Sequence, residues 1–101
     1  MEKIRFTKND IIYDNDTHEA ILKFSNKTLF GLLKKAYDSL PDTDQFKQNC
    51  EKAYLIKFDN PIKINCDLNK LNSNDNEIVK AELDRIVKIV NNVINKLYRL
   101  I

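Results

Sequence analysis

The densest run of reactive side chains is Asp14-Asn15-Asp16-Thr17-His18-Glu19. It holds the only histidine of the chain and three carboxylates. Acids at the first and third places of such a run are how a calcium loop begins. The sixth place of that loop requires glycine and here carries Glu19, and the twelfth requires a bidentate Glu and here carries Ser25. Zinc needs four ligands, and neither Cys-x-x-Cys nor His-x-x-x-His spacing supplies them. An imidazole titrates near neutrality, so His18 beside Asp16 has the chemistry of an acid/base pair. No nucleophile or phosphate-cradling loop accompanies them, and the one glycine, Gly31, cannot build a glycine-rich loop. Asp14, Asp16, His18 and Glu19 are therefore expected to form an acidic contact loop. No catalytic residue, metal site or cofactor is expected, and the chain is read as not an enzyme.

A second set of residues has the chemistry of nucleic-acid contacts. Lys34, Lys35, Gln45, Lys47, Gln48 and Lys52 fall on two neighbouring helical patterns, and Gln and Lys can read or grip DNA. Helices over 28–40 and 43–53 followed by a hairpin over 54–68 resemble a winged helix in architecture. Asp44 and Glu51 share the outward face of the second helix and oppose phosphate. Arginine is limited to Arg5, Arg85 and Arg99, and the net charge is only +2. A dedicated nucleic-acid binder carries a far stronger basic footprint.

The third set is apolar. Val79, Leu83, Ile86, Val90, Val93, Leu97 and Leu100 alternate spacings of four and three, a heptad seam. Val87, Ile94 and Ile101 widen it on one side and Ile89 on the other. The seam is expected to pack on the chain's own sheet along one stretch and to meet a second copy or a partner along the rest. Gly31, inside a helical pattern, costs roughly 1 kcal/mol against alanine. It reads either as a bare spot for a partner's backbone or as a tolerated surface position.

The elements that position these residues follow from periodicity. Alternation over 3–24 predicts strands, with Ala20, Leu22 and Phe24 on one face. Leu29, Leu32, Leu33, Ala36, Tyr37 and Leu40 form a helical stripe over 27–40, capped by Ser25 or Asn26 and stopped by Pro41. Asp42 and Gln45 resemble a capping box for a helix over 43–53 with Phe46, Cys50 and Ala53 inward. Tyr54, Ile56 and Phe58, then Ile62, Ile64, Cys66 and Leu68, alternate as a hairpin over 54–68. Residues 69–76 read as a polar connector leading into a helix over 75–101, about 40 Å long. Asn91, Asn92 and Asn95 lie off its seam and read as solvated.

One α+β domain of 101 residues is the result: two antiparallel hairpins, two short helices and a long amphipathic C-terminal helix. The first residues show no signal-peptide run, and no stretch reaches membrane-helix length. Two cysteines, Cys50 and Cys66, make no disulfide framework, which favours thiols in the cytoplasm. Thirteen asparagines with abundant Lys and Ile match AT-rich codons, as in many bacteria and their phages. The functional expectation is a small interaction protein that binds and masks a partner protein: an inhibitor, an antitoxin-like protein or a phage or mobile-element accessory protein. The alternative is a dimeric winged-helix-like DNA-binding regulator.

Overall fold

The computed structural model describes residues 5–101. Four strands form one antiparallel sheet: β1 (Ile12–Asp14), β2 (Glu19–Leu22), β3 (Ile56–Lys57) and β4 (Ile62–Asn65), in the spatial order β1-β2-β4-β3. Between the hairpins run α1 (Lys27–Ser39) and α2 (Gln45–Gln48), the latter continuing as a π-helical turn over Asn49–Ala53. A short α3 (Leu68–Leu71) precedes the long α4 (Asn76–Arg99). The expected α+β domain with two antiparallel hairpins and a long last helix is what the chain forms.

Joining the hairpins is the pairing of β2 with β4, which sets Ala20 opposite Ile64 and Leu22 opposite Ile62. All four side chains are buried on the inner face. A small residue across from a large one lets the layer fill without overlap. The outer face carries Lys57 in water and the half-buried Glu19 and Lys63, with Glu19 and Lys57 3.7 Å apart. Helices cover only the inner face, as an antiparallel sheet permits.

Every long element is stopped and started by its own side chains. The Asn26 carboxamide accepts from the amide of Leu29 and caps α1, and Leu40 before Pro41 ends it. For α2 the cap is Asp44, accepting from Lys47 N at 2.9 Å, and not the expected Asp42. Asp75 caps α4 by accepting from Glu77 N.

The core unites both sheet halves with α1 and α4. Phe30, Leu33 and Tyr37 are the buried face of α1, so its inner stripe is rotated from the expected one. Leu32 is 49% exposed, and Phe30, outside the expected stripe, is inside. The reason is an aromatic file along the sheet: Phe6, Phe24, Phe30, Phe58 and Tyr37, with successive ring centroids 5.3 to 5.7 Å apart. Such spacing suits offset and tilted ring contacts. In the second helix Cys50 is buried as expected, but Ala53 is exposed, because the backbone has widened to a π-helical turn there.

The N-terminal stretch departs most from the expected strands. Residues 3 and 4 lie outside the described residues, Arg5–Thr7 is irregular, and Lys8–Asp10 is a 3-10 turn capped by Thr7 and Asp10. What secures it is Asn91. Its Oδ1 accepts from Phe6 N at 2.7 Å and its Nδ2 donates to Phe6 O at 2.9 Å. Asn91 thus takes the place of a strand neighbour and is not simply solvated. Asn60 does the same for Phe24, with both bonds at 3.2 Å. Leu68, expected to end the second hairpin, starts α3 instead, because Asp67 caps that turn through Asn69 N and Lys70 N.

Removing both Phe6 bonds leaves buried backbone groups unpaired, so Asn91→Ala should cost roughly 1–3 kcal/mol in urea unfolding. Its exposed neighbour Asn92, changed to Ala, should move stability by no more than about 0.5 kcal/mol. Equal effects of the two substitutions would contradict the peptide-like role of Asn91.

Candidate functional site

The run Asp14–Glu19 is the tip of the first hairpin. Asp14 ends β1 and its carboxylate accepts from the amides of Asp16 (2.9 Å) and Thr17 (3.2 Å), while its carbonyl accepts from His18 N (3.0 Å). This is an Asx turn, in which the acid organises its own loop. The Thr17 and Asp16 amides hold the Asp14 carboxyl below its ordinary range. His18 closes the loop at φ 59°, a left-handed conformation that His tolerates better than most residues. Asp16 stays in water, whereas Glu19 turns to the outer face of the sheet and pairs with Lys57. Of the expected acidic contact set, Asp14 organises the loop and Glu19 is tied to the sheet.

His18 contributes through its backbone. Its carbonyl accepts from the amide of Cys66 at 3.1 Å, and the Cys66 thiol lies 3.5 Å from the same oxygen. This junction opens on a cleft of about 530 Å³ lined by His18, Tyr54, Cys66, Asp67, Lys70, Glu82 and Arg85. The sequence singled out neither Glu82 nor Arg85 as a site residue, yet they are the strongest electrostatic feature of the fold.

Glu82 is 2% exposed and is the one buried charged residue among the described residues. Its Oε2 accepts from Asp67 N at 2.7 Å and from Arg85 Nη2 at 2.9 Å, and its Oε1 accepts from Arg85 Nε. Arg85 also reaches the Asn65 carbonyl. The carboxylate therefore ties α4 to the junction of β4 and α3. The Arg85 guanidinium holds the Glu82 carboxyl below its usual range against the opposing effect of burial, and Glu82 raises that of Arg85 in return. A signal for it exists in the sequence: Glu82 lies three after Val79 and four before Ile86, inside the apolar stripe, with Arg three residues on.

The thiols are poorly placed for reactivity. Burial first, then the Glu82 charge, pushes the Cys66 thiol up, and burial pushes Cys50 up to about 11. A thiol is nucleophilic as thiolate, so both are mostly in the inactive form near neutral pH. Both cysteines are free and buried. Among the described residues no three His, Cys, Asp or Glu side chains converge as a metal cage. The chemistry of the cleft is that of a paired, already satisfied ion pair with Lys70 at its rim.

The expected nucleic-acid contacts divide. Lys47 does not project outward: its side chain is 12% exposed, donates to the Leu40 carbonyl at 3.1 Å and lies over the Tyr37 ring. Gln48 donates to the Asp42 carbonyl, and Lys34 donates to the Phe58 carbonyl while facing Asp38 at 3.7 Å. Lys35, Gln45 and Lys52 remain exposed. The C-terminal seam also divides. Ile86, Val90, Val93 and Leu97 enter the chain's own core, Val79 and Leu83 are half-buried, and Leu100 is exposed. No helix among the described residues is long and apolar enough to cross a membrane.

Because Glu82 has a lowered pKa in the fold, it stabilises the native state above the ordinary carboxylate range and loses that effect as pH falls through its folded value. In Arg85→Ala the burial persists with only the Asp67 amide and the Lys70 charge opposing it, so the carboxyl should shift upward. That variant should be destabilised by roughly 2–4 kcal/mol at neutral pH and should regain part of this as pH falls towards 5. Parallel pH profiles for wild type and variant, measured by thermal unfolding, would show that Glu82 is not held by Arg85. The chain matches no family model, no curated protein and no solved structure.

Proposed function

We propose that the chain is a non-enzymatic interaction protein that binds and masks a partner protein in the manner of an inhibitor or antitoxin, with Leu55 inside the contact. One observation carries this reading. Leu55 is 51% exposed and stands at φ 50°, one residue past the C-cap of the π-helical turn. Glycine is the usual occupant of that position, since a left-handed backbone costs an L-residue roughly 1–2 kcal/mol. An exposed leucine there is unfavourable in backbone and in hydration alike, and half of the side chain has no cover within the chain. A partner surface that takes up this side chain gives both costs a return. Lys52, exposed on the turn just before it, adds a cation to the contact. Free, buried thiols are consistent with work in the cytoplasm.

A second reading, a winged-helix-like DNA-binding regulator, has one observation in its favour. The β3–β4 hairpin follows α2 directly and is anchored through β4 to β2, so it flanks the second helix as a wing must. Against it, Lys47, Gln48 and Lys34 are engaged within the fold.

Leu55→Gly separates contact from stability. The substitution should leave the unfolding midpoint unchanged or raise stability by up to about 1 kcal/mol, while a host-lysate protein retained by immobilised wild type is lost. Retention should survive nuclease treatment. A Leu55→Gly variant that melts clearly lower, or that retains the same protein, would remove Leu55 from the contact. Retention that disappears with nuclease and falls steeply with salt would favour the DNA reading.

A further inference from the structure

We infer that α1 is a self-association surface on which a second copy of this chain docks its own α1 in antiparallel orientation. This surface is separate from Leu55 and does not rest on the partner-masking reading. The strongest alternative for self-association, the α4 seam, is largely inside the core from Ile86 to Leu97.

Two features of α1 have no internal explanation, a third is met only in part by the exposed Lys34–Asp38 pair, and the antiparallel pair accounts for all three. The first is Gly31. A Cβ built there meets nothing within 4 Å, so the fold does not require glycine at this helix-interior position, where it is unfavourable. The second is Leu32, half-exposed on the open side of the helix. It borders a hollow of about 310 Å³ shared with Ala36, Leu40, Leu100 and Ile101. The third is charge. The first turn of α1 has no acid and begins with Lys27, and the last turn has no base and contains Asp38. Both charges oppose the helix dipole, which favours anions at the N-terminus and cations at the C-terminus.

Lys27, Gly31, Lys35 and Asp38 lie at helical spacings of four, four and three, on one stripe of the helix. A two-fold axis level with Leu32 and Leu33 sets Lys27 of each copy beside Asp38 of the other. The same operation sets the stem of Lys35 over Gly31, where the missing side chain permits close approach. Each Asp38 then lies at the partner's helix N-terminus and each Lys27 at its C-terminus, so charges that oppose the dipole of their own helix complement that of the other. Leu32 of the two copies meets close to the axis, beside the hollow over Ala36. The contact is isologous, as a closed dimer requires.

The test is sedimentation equilibrium of the full chain with charge-swapped variants. Wild type should be a dimer at micromolar concentration. Lys27→Glu should raise the unfolding midpoint of the dilute monomer, because it corrects its own helix, whereas in Asp38→Lys that gain is offset by loss of the Lys34 pair, and each should weaken the dimer about tenfold or more. The double variant should regain wild-type dimerisation to within about threefold. Gly31→Gln should fold, melt no lower than wild type and remain monomeric. A wild type that stays monomeric at 100 micromolar (on the order of a surface-contact threshold) overturns the inference. So does a dimer indifferent to these substitutions, or a double variant no tighter than the single ones.

Discussion

The pairing of β2 with β4 is the constraint on which the rest depends. Each belongs to a hairpin that is too small to stand alone, since an isolated two-stranded hairpin is marginal in water. Their union makes a four-stranded sheet with Ala20, Leu22, Ile62 and Ile64 as a closed central layer. That layer together with α1 and α3 makes the core that the apolar stripe of α4 enters. Everything between β2 and β4, namely α1, α2 and β3, must then be accommodated in one excursion from the sheet and back. The aromatic file from Phe6 to Tyr37 is how that excursion is filled.

Much of this was legible from spacing alone. Period-two runs placed Ala20, Leu22, Ile62 and Ile64 on inner faces, and the four-three rhythm of α4 picked out Ile86, Val90, Val93 and Leu97. These signals are local, and a local apolar rhythm survives any tertiary arrangement that keeps one face buried. The order of the strands was not legible, because β2 and β4 are separated by two helices and nothing in either strand names its neighbour. The rotation of α1 is not legible for a related reason. Leu32 and Phe30 are equally apolar, and which of them turns inward is settled by the rings of Phe24 and Phe58, not by the helix.

The polar residues that resembled chemistry are largely occupied in architecture. Asp14 organises a turn, His18 offers its carbonyl to Cys66, and Lys47 closes the α1–α2 junction. The side chains with the greatest electrostatic consequence, Glu82 and Arg85, lie in a helix whose sequence pattern is dominated by its apolar rhythm. Its place off the heptad seam makes Asn91 read as solvated, and no spacing singles out Asn60. Their carboxamides instead copy the donor and acceptor of a peptide group, which no pattern of spacing reveals. What architecture leaves unexplained is a short set of apolar and charged residues at the surface, Leu55 and the stripe of α1, and both proposals rest on these.

The bond pair between Phe6 and Asn91 has a consequence for the order of assembly. During synthesis Phe6 is made 85 residues ahead of the Asn91 that pairs with it. Its ring can meet Phe24 early, but its backbone lacks both bonds until α4 exists. The segment is thus placed by apolar contact first and fastened by the carboxamide afterwards.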